Sequence, residues 1–322
     1  LRQIEGAFSL LILTEDALMA TRDPHGFRPL AMGSLGDGVV FASETCAFDL
    51  VGAEYTRDVA PGELVICRAD GCRSEFPRPK VQAKPCVFEH VYFARPDSLV
   101  YGLTVAATPR DMGRLLAQRQ PLEADMIVPV PDSGVAAALG YAEESGIPFE
   151  LGIIRNHYVG RTFIEPTQSI RAFGVKLKHS ANRAEIDGKR VVLVDDSIVR
   201  GTTSVKIVQM MRDAGAREVH IRVASPMIFH PDYYGIDTPD HDSLLANRYA
   251  TIGEMCRFIG ADSLSFLSID GLYQAVGGEK RNPRAPQFTD HYFPGDYPTT
   301  LTDLNGRGIA DPKGLSLMRE AS

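Results

Sequence analysis

The 322-residue sequence lacks the excess of basic residues that a general nucleic-acid-binding or membrane-binding surface requires. It contains 34 Lys and Arg against 41 Asp and Glu, which gives a net charge of −7. Proteins that bind nucleic acid or anionic lipid over a broad surface need a basic face. The charge balance therefore argues against both partners, although it still permits a small anionic ligand held by a few local groups.

Cysteine is scarce as well, and the few cysteines present do not follow a metal-binding pattern. The cysteines are Cys46, Cys67, Cys72, Cys86 and Cys256. No pair has Cys-x-x-Cys spacing and no nearby histidine completes a zinc pattern, so a metal site built from these residues alone is not expected. Scattered thiols in odd number are typical of a reducing compartment, and we expect a cytoplasmic protein.

Membrane-length apolar runs and a Walker-type nucleotide motif are also missing. Near the start of the chain the longest strongly apolar run is LLIL, residues 10–13. This run is far too short to span a bilayer and lacks the basic flank of a signal peptide. The chain opens on Leu1 rather than Met, inside a predicted strand, and we interpret this as a truncated or processed N-terminus.

Two regions with different patterns divide the chain, and its length also suggests two domains. Residues 1–75 alternate short apolar–polar segments with Pro and Gly turns, which predicts a β-rich region. A charged, Pro-containing stretch then predicts a linker or crossover over residues 76–110. Over residues 111–276 strands alternate with helices, which predicts an α/β fold with a mostly parallel sheet covered on both faces. The last strand predicted in this series is VHIRVAS, residues 219–225. A Pro/Gly-rich tail occupies residues 277–322.

The strongest candidate site is VVLVDDSIVRGTTS, residues 191–204. VVLV is typical of a central parallel strand, so Asp195 and Asp196 fall at its carboxyl end, where open α/β sheets bind ligands. Gly201 and the three hydroxyl residues after it open a helix, whose N–H groups suit a phosphate, and Gly215 is a natural end for that helix. An ordinary helix cap is the alternative, but a cap needs one hydroxyl, and two carboxylates after a buried strand need partners.

The two halves of this stretch favour different parts of one ligand. Ionised carboxylates accept hydrogen bonds and bind cations, so Asp195 and Asp196 suit a sugar diol or Mg²⁺ rather than bare phosphate. A phosphate at the helix start and a diol at the acids describe a ribose 5-phosphate. If C1 of that sugar carries a leaving group, the acids also stabilise the positive charge that develops there.

Two further segments suit the same ligand. VPVPDSG, residues 128–134, offers N–H groups and Ser133 to a second anion or a metal-bound water. Taken alone, a Pro-stiffened turn with a helix cap explains this segment slightly better. The segment 155–180 carries Arg155, Arg161, Arg171, Lys176 and Lys178. A charged surface loop is the usual explanation for such a run, whereas a lid over a pyrophosphate leaving group is the functional one.

These motifs resemble a known family. VVLVDDSIVRGTTS resembles the phosphoribosyl pyrophosphate (PRPP) signature of type I phosphoribosyltransferases. Together with FARPDS (93–98), VPVPDSG and YVGRTFI (158–164), it resembles the glutamine PRPP amidotransferases. Three earlier segments resemble the end of that family's glutaminase domain, which has an N-terminal nucleophile. They are RDPHGFRPLA (22–31), ASETCAFD (42–49) and DVAPGE (58–63).

The resemblance implies a glycosyltransferase, the amidophosphoribosyltransferase that performs the first step of purine synthesis. In such enzymes ammonia released from glutamine attacks C1 of PRPP, and 5-phosphoribosylamine and pyrophosphate form with the help of Mg²⁺. Feedback inhibition by purine nucleotides and assembly as a homodimer or homotetramer are implied too. The resemblance implies no nucleic-acid or membrane partner.

Roles for individual residues follow from the resemblance. Asp195 and Asp196 would hold the ribose hydroxyls and, with Ser133, the metal. Arg161 and Lys178 would lie in the loop that closes on PRPP, and with the two aspartates they are the catalytic candidates. The PRPP-binding set adds Ser197, Ile198, Val199, Arg200, Gly201, Thr202, Thr203 and Ser204 to the two aspartates.

The sequence departs from the family at two points. The family's glutaminase uses an N-terminal cysteine, an arginine and an Asn-Gly oxyanion segment, none of which lies in the part of that domain this sequence matches. Glutamine hydrolysis by that route is therefore not expected of this chain. Some members carry a four-cysteine [4Fe–4S] cluster, whose ligand positions here are Cys86, Asp232, Thr289 and Tyr292. One thiolate cannot hold a cluster, and we predict none.

Two other functions remain compatible with these motifs. One is a phosphoribosyltransferase that uses a free nucleobase as acceptor, and the other is a regulator that senses PRPP or nucleotides without turning them over. The glutaminase-like first 75 residues favour the amidotransferase. The intact Asp195–Asp196 pair argues, weakly, against the regulator.

Overall fold

The computed structural model describes residues 4–155 and 179–301. Within these two ranges a β-rich N-terminal region precedes an α/β region with a parallel sheet, as the sequence predicts. Among the helices described, none is long and apolar enough to cross a membrane.

Two antiparallel sheets form the N-terminal region. Their strands are β1 (Ser9–Leu13), β2 (Leu18–Arg22), β3 (Ala31–Leu35), β4 (Gly38–Ala42), β5 (Glu54–Asp58), β6 (Leu64–Arg68) and β7 (Gly71–Glu75). The strand orders are β1-β2-β6-β7 and β4-β3-β5, and helix α1 (Cys46–Val51) lies between β4 and β5. Ala20, Leu30 and Val65 belong to one small core to which both sheets contribute.

Cys67 and Cys72 form a disulfide, which corrects the interpretation of all five cysteines as scattered thiols. The two residues face each other directly across the β6–β7 hairpin. Residues at opposite positions of an antiparallel pair have their side chains close together. The sequence does not indicate this disulfide, because the spacing rules for zinc and redox motifs do not cover two cysteines that face each other across a hairpin. The other three cysteines, all within the described ranges, are free.

Residues 76–110, for which the sequence predicts a linker or crossover, contain short regular elements. A π-helical turn spans Glu89–Phe93, and a small hairpin joins β8 (Leu99–Val100) to β9 (Leu103–Thr104). Val87 and Val91 are buried in the core of the α/β region. This segment therefore packs against the region that carries the candidate site.

The parallel sheet contains β10 (Met126–Pro129), β13 (Arg190–Asp195), β14 (Glu218–Val223) and β15 (Ser263–Phe266), in that order. The prediction that β14 closes the series of strands is wrong, because β15 follows it. Serine alternates with apolar residues in β15, and this mixed pattern resembles a loop more than the continuous apolar run of β13. A separate antiparallel pair consists of β11 (Ile153–Arg155) and β12 (His179–Ala181).

Helices cover both faces of the sheet, as predicted. The helices of this region are α2 (Ala107–Arg119), α3 (Val135–Ser145), α4 (Arg183–Ile186), α5 (Thr202–Asp213), α6 (Leu245–Arg248), α7 (Ile252–Ile259) and α8 (Ile269–Ala275), and a 3₁₀ turn spans His241–Ser243. Val192 and Val194 pack with α2, α3 and α8, whereas Val191 and Leu193 pack with α5 and α7. Successive residues of a strand face opposite sides, so β13 is buried on both faces up to Asp195.

Candidate active site

A pair of buried carboxylates lies where β13 ends. Asp195 is 9% exposed and Asp196 is 7% exposed. The peptide N–H of Asp196 donates a hydrogen bond to Asp195 Oδ1 over 3.0 Å. Burial, followed by the proximity of the Asp196 charge, raises the pKa of Asp195 well above its usual value. Two buried like charges are stabilised by a proton, a hydrogen-bond donor or a cation, so this pair suits hydroxyl donors or a divalent metal.

Two serines orient Asp196. Ser133 Oγ donates to one carboxylate oxygen over 2.6 Å, and Ser197 Oγ donates to the other over 2.7 Å. Ser133 comes from the 128–134 segment, which lies directly against β13. A Cβ atom on Gly134 would lie 2.3 Å from the carbonyl oxygen of Val194, so this close approach requires glycine. The structure thus brings Ser133 together with the two aspartates.

A helix N-terminus follows the carboxylates within the same loop. Gly201 has φ +75°, a left-handed conformation that favours glycine, and α5 begins at the next residue. Thr202 and Thr203 are exposed and Ser204 is buried. No side chain in the described part of the chain caps this end. The first N–H groups of a helix have no acceptor within the helix, so an uncapped N-terminus suits an anion.

The middle of the 195–204 loop is fixed by a contact that the sequence analysis missed. The peptide N–H of Leu245 donates to the carbonyl oxygen of Val199 over 2.8 Å. The Leu245 side chain lies 3.1 Å from the place where a Cβ on Gly201 would be. Ile198 is buried in the core and Arg200 is exposed. No local motif marks Leu245, so the sequence offers no signal that would have identified it.

The basic segment begins at the edge of this site. Arg155 Nη1 forms an ion pair with Asp132, which belongs to the same segment as Ser133. The predicted site residues Arg161 and Lys178 lie outside the described residues, as do Arg171 and Lys176. The structure therefore places the start of the predicted lid but none of its candidate catalytic residues.

Comparison with known proteins assigns the chain to a family. Residues 107–228 match the model of the phosphoribosyl transferase domain, and residues 1–49 match that of a glutamine amidotransferase domain. The chain is 66% identical over 316 residues to an amidophosphoribosyltransferase of Rhizobium etli, which covers 97% of this chain. The chain belongs to the amidophosphoribosyltransferase family.

Other relatives agree in sequence and in structure. An amidophosphoribosyltransferase of Bacillus subtilis is 49% identical and covers 94% of this chain. The solved structure of glutamine PRPP amidotransferase from B. subtilis complexed with ADP and GMP superimposes with a TM-score of 0.85, at 49% identity, over 92% of this chain. The chain spans 64% of the length of the R. etli protein, 63% of the B. subtilis protein and 65% of that solved chain.

In this member of the family, the positions that the resemblance relates to cluster ligands meet in a buried polar network. Cys86 Sγ lies 3.2 Å from the hydroxyl of Tyr292, which donates to Asp232 over 3.0 Å. Thr289 pairs with Cys86 in an isolated parallel bridge. Burial raises the pKa of Cys86 to about 11. At neutral pH this thiol is therefore protonated within the network.

Proposed function

We propose that the whole protein is an amidophosphoribosyltransferase, which makes 5-phosphoribosylamine and pyrophosphate from PRPP and ammonia released from glutamine. This reaction is the first step of purine synthesis. The observation that carries the proposal is a buried carboxylate pair and an uncapped helix N-terminus on one short loop, because a sugar phosphate needs both. The match of residues 1–49 to a glutamine amidotransferase domain supports ammonia as the acceptor.

The roles follow from the chemistry of each group. The 5-phosphate lies against the N–H groups at the start of α5, and Asp195 and Asp196 face the ribose diol and C1. The ammonia nitrogen bonds to C1 while the bond from C1 to the pyrophosphate oxygen breaks, and a proton then leaves the nitrogen. Positive charge develops on the sugar during this exchange, so ionised carboxylates beside it lower the barrier. Ser133 and Ser197 keep the Asp196 oxygens in place.

The same residues fit Mg²⁺, a hard cation that takes oxygen ligands and retains several from water and substrate. Asp195 and Asp196 would supply the carboxylates, and Ser133 would supply its hydroxyl or hold a bound water. When bound, the ion neutralises charge on the departing pyrophosphate. The fit rests on the buried like-charge pair, whose repulsion a divalent ion relieves. We propose no iron–sulfur cluster, since Cys86 would be its sole thiolate.

Further parts of the proposal concern residues and partners beyond this loop. We assign to Arg161 and Lys178 the closing of the lid over pyrophosphate. Residues 1–75 would be part of the glutaminase domain, 76–110 its crossover, 111–276 the phosphoribosyltransferase domain and 277–322 a tail. Purine nucleotides would inhibit by feedback, which the ADP and GMP in the B. subtilis structure support. The proposed protein is a cytoplasmic homodimer or homotetramer.

One assay tests the reaction. The whole protein is given PRPP and Mg²⁺, and pyrophosphate release is compared with ammonia, with glutamine and with free nucleobases. Release with ammonia and with glutamine is expected. Turnover with nucleobases but not with ammonia would refute the proposed acceptor, and absence of PRPP binding would refute the site.

A matched pair of variants tests the carboxylates. Asp195→Asn should lower turnover by roughly 100-fold or more, which is the scale for losing one preorganised electrostatic group. Asp125→Asn is the control, because Asp125 bonds Arg190 at the opposite end of β13. Turnover in this control should stay at the level of the wild type. Equal activity of the two variants would contradict the assignment.

A further inference from the structure

Residues 229–247, here called the bridging segment, connect the 195–204 loop to the N-terminal region. The Asn247 side-chain amide donates to the carbonyl oxygens of Phe229 over 2.7 Å and His241 over 2.8 Å, so the two ends of the segment are tied together. On one side, Leu245 donates its N–H to Val199 in the 195–204 loop. A displacement of the bridging segment would therefore move that loop.

On its other side the bridging segment is held by two consecutive residues of the N-terminal region. Phe27 stacks on Tyr234 with ring centroids 4.4 Å apart and planes 15° apart. Arg28 donates from Nε to the carbonyl oxygen of Tyr234 over 2.9 Å and from Nη2 to Asp232 over 3.3 Å. Asp232 in turn accepts the N–H of Ile236, which closes the turn.

One guanidinium serves two carboxylates in this contact, and His291 Nε2 also lies 3.0 Å from Asp232 Oδ1. Arg28 Nη1 also donates to Glu89 over 2.9 Å, so it pairs with two carboxylates from separate segments. The Glu89 side chain is 3% exposed and that of Asp232 is 0% exposed. Removing one partner of a buried ion pair leaves an uncompensated charge, which is strongly destabilising. The local position of the bridging segment should thus be sensitive to Arg28.

We infer that Arg28 is a positioning residue for the phosphoribosyl site: it holds the bridging segment so that Leu245 keeps the 195–204 loop in its binding form. Arg28 touches no reacting atom in this arrangement. The inference rests on the proposed function and adds to it that the N-terminal region sets the affinity for PRPP through this contact.

The test compares three variants of the whole protein. Arg28→Met removes the charge, Arg28→Lys keeps it without the planar fork, and Arg57→Met is the control. Arg57 pairs with buried Glu63 inside the N-terminal region, so its loss also leaves a buried carboxylate unpaired. With saturating ammonia, Arg28→Met should raise the KM for PRPP roughly tenfold with little change in kcat. Arg28→Lys should be intermediate, and the control should match wild type.

A double-mutant cycle and hydrogen exchange make the test specific. If Arg28 acts through Asp232, Asp232→Asn should raise the KM alone, and combining it with Arg28→Met should add little. Amide exchange in residues 195–204 and 229–247 should quicken in Arg28→Met but not in Arg57→Met. Should Arg28→Met fail to fold, Arg28→Lys and Asp232→Asn supply the same comparison.

The outcomes separate this inference from the proposed function. Wild-type turnover of PRPP with unchanged KM and exchange in Arg28→Met would overturn the inference alone. Additive effects of the two substitutions would overturn it too. If the wild-type protein does not turn over PRPP, the proposed function fails, and the exchange data still show whether Arg28 positions the loop.

Discussion

Replacing Gly201 with alanine should impair PRPP binding more than it impairs folding. Gly201 has φ +75°, and a left-handed conformation costs a residue with a Cβ about 1–2 kcal/mol. The added methyl group would lie 3.1 Å from Leu245 Cδ1 and 3.4 Å from Phe258 Cε1, a crowding that a shift of a few tenths of an ångström relieves. The free energy of unfolding should therefore fall by about 1–2 kcal/mol, essentially the backbone strain.

The expected effect on binding is larger. A backbone that relaxes this strain turns the first N–H groups of α5 away from the phosphate. A hydrogen bond to a charged group contributes about 1.5–3 kcal/mol, so losing one raises the Kd for PRPP roughly 10- to 100-fold. Calorimetric titration with PRPP and Mg²⁺ measures the Kd, and urea denaturation measures the free energy of unfolding.

Gly146→Ala is the matched control. Gly146 has φ +71° at the end of α3, and an added Cβ would meet nothing within 4 Å. It should lose similar stability and bind PRPP like the wild type. If both variants lose similar stability and both keep wild-type affinity, the helix N-terminus is not the phosphate site.

Three further outcomes are expected. The raised pKa of Asp195 means that wild-type stability falls as pH rises above about 3.8 towards the raised value, because the unfolded chain ionises first. Asp195→Asn cannot ionise, so urea unfolding at pH 4, 6 and 8 should show a smaller fall; an unchanged pH dependence contradicts the burial argument. Ser133→Ala removes the 2.6 Å hydrogen bond to Asp196 and should lower kcat/KM for PRPP about tenfold. Unaltered kinetics would show that this contact is dispensable. Reducing the Cys67–Cys72 disulfide opens the short loop that this bond closes in the unfolded chain, which then gains conformational freedom. The free energy of unfolding should fall by about 2 kcal/mol, with PRPP turnover retained.

The parts of the site that the sequence predicts are those that depend on neighbours along the chain. The run VVLV gave β13, because a continuous β-branched segment is buried on both faces. Gly201 and Gly215 marked the two ends of α5 correctly. The loop between strand and helix followed from these signals, and so did the position of Asp195.

The parts that the sequence does not predict depend on distant contacts. Leu245 fixes Val199 from 46 residues away along the chain, and it looks like any other core leucine. Arg28 meets Asp232 across a separation of 204 residues. Neither contact leaves a local pattern in the sequence, because its two residues lie far apart along the chain and each is of a common type. The sequence does not predict β15 for a related reason. Its serines weaken the apolar pattern of a strand, and what makes it a strand is its pairing with β14, which lies about 40 residues earlier in the chain.

The contact near Thr289 affects when the core around Cys86 can close during synthesis of the chain. The N–H of Val87 donates to Thr289, the N–H of Thr289 donates to Pro85, and the N–H of Phe229 donates to Tyr292. Tyr292 is fully buried beside Cys86, so the last part of the described chain closes over a segment synthesised some two hundred residues earlier. Contacts of such long range form late and slowly. Until residues 285–299 have left the ribosome, Cys86 therefore lacks the cover of Thr289 and Tyr292, and the incomplete chain presents a surface that the finished protein hides.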